Sequence, residues 1–176
     1  MFRRKITLII LILAFGICDG FAQVGFPVPA GNQKQLFYLQ RTSNSNTIVY
    51  ELNYKNGSID IENPVHEFWI RYQEQGQQQE LSYIQRKFAY GVKAKKIANN
   101  KYELNFVSYK NYKMYLEPGP DNKLYVFTDI NKQKVILTSI FLKINGGSFW
   151  SPNIEYVEIS GIDPGNRTVV KQRLKI

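Results

Sequence analysis

The segment KLYVFTDINKQKVILTSIFLKI, residues 123–144, decides the fold class of this chain. Two runs rich in β-branched and aromatic residues, 123–130 and 134–144, flank the polar stretch Asn131-Lys132-Gln133. Runs of this composition favour strands, and a short polar connection between two of them is typical of a β-hairpin. We therefore predict two antiparallel strands joined by a tight turn.

The chain on either side of this hairpin shows the same pattern. TIVYELNY (47–54) alternates, so that Ile48, Tyr50, Leu52 and Tyr54 share one face of a strand. Further strand-like runs lie at 65–72, 102–106, 154–160 and 168–176, and turn residues separate them. In total the chain predicts roughly nine short strands. Its fold class is therefore mainly β, an antiparallel β-sandwich or partly closed barrel. We expect one β-rich domain over 35–176, after an extended lead-in at 23–34.

One segment, ELSYIQRKFAYGV (80–92), breaks the alternation. Its apolar residues recur at helical spacing: Leu81, Ile84, Phe88 and Val92. Ser82 and Gln85 have the spacing of a capping box, in which each side chain bonds the other residue's backbone N–H. Gly91 is placed to end a helix in the left-handed conformation. We predict a short amphipathic helix near 81–90 that packs on the sheet.

The first 22 residues have the three parts of a secretory signal peptide. Three basic residues open the chain, an apolar run of about a dozen residues follows, and Gly20 and Ala22 provide a small-residue cleavage site. The apolar run is short of the ~20 residues that span a bilayer. The alternatives are an uncleaved anchor and a lipoprotein leader with Cys18 as the lipidated residue. The pattern favours an exported protein, periplasmic or secreted, without a transmembrane segment after cleavage.

Cysteine content and charge limit the possible chemistry. The chain's one cysteine lies in the leader, so the processed protein has no disulfide, thiolate zinc site or cysteine nucleophile. We expect no cofactor and no metal. The net charge is +9, and removing the leader's three basic residues and one acidic residue leaves +7. This charge favours an anionic glycan, a lipid headgroup or an envelope protein as partner. An exported protein is not expected to meet nucleic acid.

The segment NPVHEFWIRY (63–72) contains the chain's only histidine, His66. Alternation places His66 with Phe68 and Ile70, which predicts a core-side imidazole that has a hydrogen-bond partner. The alternative is a general base, with Arg71 and Tyr72 as further candidate catalytic groups of a hydrolase or lyase that acts on cell-wall or glycan material. Ser148 in GGSFW lacks the pattern of a nucleophile elbow, and we interpret it as part of a glycine turn before an aromatic pair.

A basic stretch with interleaved tyrosines follows the predicted helix start. No acidic residue occurs between Leu81 and Tyr102. The candidate ligand-binding residues in this stretch are Arg86, Lys87, Tyr90, Lys93 and Lys95. Tyrosines among cations are suited to an anionic ligand, although charge runs are commonly solvated surfaces. The leading hypothesis is a non-catalytic envelope protein that binds an anionic ligand or partner through this face. A structural assembly partner with an exposed apolar patch is the third possibility.

Three blocks together carry a resemblance to a known family: NPVHEFWIRY, ELSYIQRKFAYGVK and GGSFWSPNIEYVEISG. With these blocks the chain, from LFYLQR at 36–41 to its final strand, resembles the small secreted Bacteroidota domains of the domain-of-unknown-function family 4833. The resemblance implies an exported, single-domain protein. The family has no established activity that we can carry over to residues of this chain.

Overall fold

A computed structural model describes residues 25–175 of the chain. The leader predicted over 1–22 lies outside the described residues. Within 25–175 the structure is mainly β, as the sequence predicts, with a large curled sheet that forms a half-barrel. The strands are β1 (Gln35–Arg41), β2 (Thr47–Leu52), β3 (Tyr54–Lys55), β4 (Ser58–Ile59), β5 (Val65–Arg71), β6 (Gln77–Glu80), β7 (Val92–Ala98), β8 (Lys101–Phe106), β9 (Lys113–Pro118), β10 (Leu124–Ile130), β11 (Gln133–Gly147), β12 (Pro152–Ile162) and β13 (Val169–Lys175).

The predicted hairpin is present as β10 and β11. Phe127 lies opposite Ile136, and the register closes at Ile130 opposite Gln133. Asn131 and Lys132 form the turn with φ of 52° and 67°. A two-residue turn with both residues at positive φ matches the right-handed twist of the strands that it joins.

The long strand β11 is the branch point of the sheet. Along one edge, its first residues pair with β10 and its later residues, from Ser139 to Leu142, pair with β1. Along the other edge β11 pairs with β12, which pairs with β13. One wing of the sheet therefore runs β11-β10-β9-β8-β7, and the other runs β11-β1-β2-β5-β6.

The pairing of β1 with β11 is parallel, so the sheet is mixed and the prediction of a wholly antiparallel sheet is wrong at this point. The two strands are about 100 residues apart in the chain, and no tight turn joins them. Only a tight turn obliges neighbouring strands to run antiparallel, so this pair is free of that constraint.

The core fills the space between the two wings. Phe37 and Tyr50 stack at 4.3 Å between ring centroids, and Phe106 meets Phe37 edge-on at 6.2 Å. Ile48, Tyr50 and Leu52 are buried together, as the alternation predicts, but Tyr54 lies beyond the strand end and is exposed. Each buried aromatic or aliphatic side chain contributes about 1.5–3 kcal/mol by leaving water, so this cluster is the main support of the half-barrel.

A short helix joins the two wings and differs from the prediction in two respects. Helix α1 (Tyr83–Gln85) continues directly into a π-helical turn, Arg86–Tyr90. The capping box of Ser82 and Gln85 is present. Leu81 is buried in the core and Val92 packs against it, but Ile84 and Phe88 are exposed, so only the two ends of the predicted apolar stripe pack on the sheet.

Gly91 is extended and not left-handed, with φ of −63° and ψ of 153°. A Cβ at this position would lie 2.0 Å from the carbonyl oxygen of Arg86. The glycine is therefore needed because the backbone passes close to the π-helical turn, and not because it caps a left-handed helix end.

Candidate functional site

An open cavity of about 870 Å³ lies on the concave side of the sheet, where the packed core stops. It is bounded by β1, the π-helical turn, the segment after β8, and the strands β11, β12 and β13. Its volume is within the ~300–1,000 Å³ typical of small-molecule sites. Its wall includes Arg41, Thr42, Tyr90, Ser108, Tyr112 and Leu142.

The floor of the cavity is apolar because strand alternation continues beyond the filled core. In β11 the inward residues Leu142 and Ile144 follow the buried Ile140, but nothing packs fully over them. Val157 of β12 and Leu174 of β13 likewise line the cavity and are only partly buried. These side chains leave apolar surface facing the cavity, which an apolar ligand would cover favourably at ~25 cal/mol per Å².

Several hydroxyl groups around the cavity have partners within the protein. The Thr42 hydroxyl donates to the carbonyl of Ile144 at 2.7 Å and accepts from its N–H at 2.8 Å. The Ser108 hydroxyl donates to the carbonyl of Ala89 at 2.6 Å. The Tyr112 hydroxyl accepts from Thr128 at 2.9 Å. These groups hold the cavity wall together and leave little capacity for a ligand.

Arg41 differs from every other residue of the cavity wall because it is the only charged side chain in that part of the described structure. Its Nε is buried and has no hydrogen-bond partner. Its guanidinium carbon lies 5.7 Å from the centroid of the Trp69 ring, a cation–π distance. No carboxylate within residues 25–175 lies within 4.0 Å of the guanidinium. An arginine with a buried, unpaired N–H and no carboxylate beside it is uncommon, because buried polar groups usually have a hydrogen-bond partner.

Tyr90, one of the candidates from the sequence, borders the same space. Its ring meets Trp69 edge-on at 5.4 Å, and its carbonyl accepts a hydrogen bond from the Tyr50 hydroxyl at 2.9 Å. Burial raises the pKa of the Tyr90 hydroxyl, and the positive charge of Arg41 partly offsets this rise. Tyr90 therefore remains a neutral wall residue at physiological pH.

The other four basic candidates do not converge on the cavity wall. Arg86 lies beside two acidic side chains, with 2.9 Å to Glu80 and 3.7 Å to Glu67. Lys87 lies outside the wall, next to Phe88. The acid-free stretch in the sequence is thus not acid-free in space, because neighbouring strands bring carboxylates to it.

Lys93 and Lys95 are exposed on one face of β7, and Lys96 lies on the opposite face. Lys95 is directly opposite Glu103 of β8, and Lys93 is opposite Asn105. The two lysines are therefore near each other, and neither lines the cavity. The structure brings Tyr90 to the cavity and places the two β7 lysines on a separate exposed face.

His66 alternates with Phe68 and Ile70 as predicted, but its assignment to the core side is wrong. The core cluster takes the other face of β5, with Val65 and Trp69. The imidazole is part-exposed between two carboxylates, with Nε2 at 2.9 Å from Glu80 and Nδ1 at 3.5 Å from Glu51. Sequence alternation cannot say which face meets the core when both faces carry large apolar residues.

The three candidate catalytic residues do not form one site. His66 and Arg71 lie on opposite faces of β5, five residues apart, and a strand rises ~3.3 Å per residue. Arg71 is paired with Glu74, and Tyr72 starts the 3₁₀ turn that follows the strand. Burial, with a smaller contribution from Tyr38, raises the pKa of Tyr72. This spacing leaves no point where a base, an acid and an anion clamp could act on one substrate.

Two glutamates near the helix have shifted pKa values with opposite signs. Burial raises the pKa of Glu67 to about 7, although Arg86, the Val92 N–H and His66 act against it. Partial burial would also raise the pKa of Glu80, but hydrogen bonds from His66 and Arg86 outweigh it and lower that pKa. Glu67 of β5 lies against Val92 at the start of β7, where the two wings come together.

Ser148 lies in a turn, as the glycine pattern predicts. Its hydroxyl accepts a hydrogen bond from the Ser151 N–H at 3.1 Å, and its own N–H donates to the Ser151 carbonyl at 3.1 Å. The aromatic pair Phe149 and Trp150 follows at a centroid distance of 4.9 Å. The hydroxyl is therefore part of the turn and is not held by an imidazole.

Sequence reasoning did not select Arg41, although a signal for it exists. Phe37, Leu39 and Arg41 alternate along QLFYLQR, so the arginine shares the face of two apolar residues at the end of a strand. A cation on an apolar strand face indicates either a buried ion pair or a ligand contact.

No helix within residues 25–175 is long and apolar enough to cross a membrane. The same residues contain no group of three or more His, Cys, Asp or Glu side chains arranged to hold a metal ion. A family model described as "Domain of unknown function (DUF4833)" matches residues 37–173. No curated protein and no solved structure matches the chain.

Proposed function

The chain belongs to the DUF4833 family, and from the geometry of its cavity we propose that it is an exported, non-catalytic protein that binds an amphipathic anionic molecule. The ligand's apolar part occupies the cavity, and its anionic group bonds to Arg41. Export rests on the leader pattern of residues 1–22.

One observation carries this proposal: a largely apolar cavity whose wall has a single charged side chain, with a buried, unpaired Nε. An anion in the cavity would pair with a guanidinium charge that has no carboxylate partner within residues 25–175. Charge-assisted hydrogen bonds of this kind contribute about 1.5–3 kcal/mol each. The apolar part would add ~0.8 kcal/mol for each buried CH₂ group. The positive charge of the whole protein also favours the approach of an anion.

The ligand is anionic, as in the leading sequence hypothesis, but its main charge contact is Arg41 in the cavity and not the basic face from Arg86 to Lys95. Tyr90 remains in the site as a wall residue next to Arg41. Lys93 and Lys95 act from a distance, by raising the positive potential along which an anion approaches.

The test is calorimetric titration of the processed protein with dodecanoate and with dodecanol, which share an alkyl chain and differ in charge. Arg41→Gln should weaken dodecanoate binding by about 10- to 100-fold, in keeping with the loss of one charge-assisted bond. It should change dodecanol binding by less than about threefold, because the apolar wall is intact.

Lys143→Gln is the matched control, since it removes a positive charge from β11 outside the cavity wall. It should leave the binding of both ligands near the wild-type value. If the two variants weakened dodecanoate binding equally, the loss of affinity would be due to net charge and not to Arg41 in particular. Failure of both ligands to bind the wild-type protein would refute the proposed function.

A further inference from the structure

A group of exposed aromatic side chains lies at the edge of the cavity. Phe88 meets Trp150 at 5.8 Å between ring centroids, and Trp150 meets Phe149 at 4.9 Å. Trp150 is 68% exposed, although tryptophan is usually among the more buried residue types. Contiguous exposed apolar side chains, unlike single scattered ones, mark an interaction site.

A cation is held within the same group. The Lys87 Nζ lies 5.2 Å from the centroid of the Tyr83 ring and 5.3 Å from that of Phe88, and it donates to the Tyr83 hydroxyl at 2.8 Å. In the described part of the chain no carboxylate lies within 4.0 Å of this ammonium. Tyr83, Lys87, Phe88, Phe149 and Trp150 are together called the aromatic lip below.

The loop that presents two of these aromatics is held in place by its backbone. Gly146 and Gly147 have φ of 80° and 87°, and a Cβ on Gly147 would lie 2.5 Å from the Ser151 carbonyl oxygen. Only glycine fits there, and the turn between Ser148 and Ser151 then projects the aromatic pair outward. The loop thus presents the pair at its tip and does not bury it against the sheet.

We infer that the aromatic lip docks the protein on the surface of a bilayer that contains anionic phospholipid, with the cavity opening toward the membrane. Tryptophan and tyrosine prefer the membrane–water interface, because one part of each side chain is apolar and another forms hydrogen bonds. An unpaired lysine beside them is complementary to a lipid phosphate.

Continuity with the cavity supports a membrane as the occupant of this surface. Phe88, Phe149 and Trp150 belong both to the lip and to the cavity wall. An amphipathic molecule could therefore pass from the bilayer into the cavity without exposing its apolar part to water. The net charge of +7 that remains without the leader's three basic residues and one acidic residue gives the attraction toward an anionic surface.

The experiment measures how the processed protein partitions onto vesicles of phosphatidylcholine with phosphatidylglycerol, and onto vesicles of phosphatidylcholine alone. Trp150 also provides a direct signal, because the other tryptophan, Trp69, is buried at 3% exposure. The fluorescence of the wild-type protein should shift to shorter wavelength on the anionic vesicles, as Trp150 leaves water.

Two sets of lip variants are informative. Trp150→Ser removes the most exposed aromatic side chain at the cavity edge. The double variant Tyr83→Ser, Lys87→Gln removes an aromatic ring and a positive charge from the part of the lip that lies outside the cavity wall. Each should weaken partitioning onto anionic vesicles by about tenfold, since membrane affinity scales with buried apolar area and with charge attraction. A double variant at Tyr54 and Ile61, Tyr54→Ser with Ile61→Ser, removes exposed apolar surface elsewhere and should change partitioning less than twofold.

Arg41→Gln separates this inference from the proposed function. Because Arg41 lies inside the cavity and not on the lip, the variant should still bind vesicles as the wild-type protein does, even if it no longer binds dodecanoate. Loss of vesicle binding in Arg41→Gln, or retention of it in both lip variants, would overturn membrane docking through the lip. In the latter case the lip would be a surface for a protein partner.

Discussion

Replacement of Glu67 by glutamine should remove a pH-dependent loss of stability from the protein. Glu67 is buried where β5 meets β7, and its carboxyl has a pKa of about 7 against an ordinary value of 4.5. Burial is the main cause, because it removes water from the charged form. Arg86, at 3.7 Å, opposes this effect without cancelling it.

The sign of the effect follows from proton binding. Between pH 4.5 and about 7 the folded protein keeps a proton on Glu67 that the unfolded chain has released. Stability from the neutral carboxyl is fully present below pH 4.5 and is lost as the pH rises through about 7. At 1.36 kcal/mol per pKa unit, the loss due to this residue is about 3 kcal/mol. In a domain of this size that equals a fall in melting temperature of roughly 10 °C.

The assay is urea unfolding of the wild-type protein and of Glu67→Gln at a series of pH values from about 4.5 to about 8. The free energy of unfolding of the wild-type protein should fall by about 3 kcal/mol more than that of the variant across this range. Glu155→Gln, at an exposed position of β12, is the control and should keep the wild-type slope. The lowered pKa values of Glu80 and Glu117 act in more acidic solution, so they do not mimic the effect.

Parallel pH profiles for the wild-type protein and Glu67→Gln would refute the reasoning. Such a result would show that Glu67 is ionised in the folded state and that Arg86 and the Val92 N–H neutralise it fully. A constant offset between the two parallel profiles would then be a packing effect of the amide.

Three further predictions concern residues that the sequence singled out. His66→Gln should destabilise the protein by about 1 kcal/mol, because a hydrogen bond to Glu80 is lost. The affinity for dodecanoate should stay within a few-fold of the wild-type value. Unchanged stability together with lost dodecanoate binding would contradict a structural role for His66. The double variant Lys93→Gln, Lys95→Gln should slow the association of dodecanoate at low salt, as measured by stopped-flow fluorescence. The double variant Lys55→Gln, Lys132→Gln removes the same charge and should slow association less. Equal association rates for the two variants would mean that only net charge matters. Mass spectrometry of the exported protein should find a chain that lacks residues 1–22, and a lipid on Cys18 would exclude this cleavage.

Some parts of this protein are determined locally, and the sequence predicts those parts correctly. The hairpin of β10 and β11 follows from two β-rich runs around a two-residue turn. The capping box of Ser82 and Gln85 follows from two side chains three residues apart. The mainly β fold class and the family membership can also be read from the sequence, because both depend on patterns within short stretches of chain.

The conformation of Gly91 and the exposure of Phe88 could not be predicted in this way. The helical stripe assumed that apolar spacing points to the core, whereas the cavity edge leaves Phe88 without cover. Glycine at a helix end usually indicates a left-handed residue, but here a π-helical turn brings the Arg86 carbonyl against it. Both results depend on what lies next to the segment and not on the segment itself.

The candidate site also has some properties that the sequence determines and others that only the tertiary structure determines. The sequence alone determines how much charge the chain carries and where its basic residues occur. Only the tertiary structure determines that Arg86 meets Glu67 and Glu80, while Arg41 meets no carboxylate within residues 25–175. The physical reason is that pairing and burial depend on distances across the sheet. For Arg41 those distances depend on the parallel β1–β11 pairing, which joins segments about 100 residues apart and which no local pattern encodes.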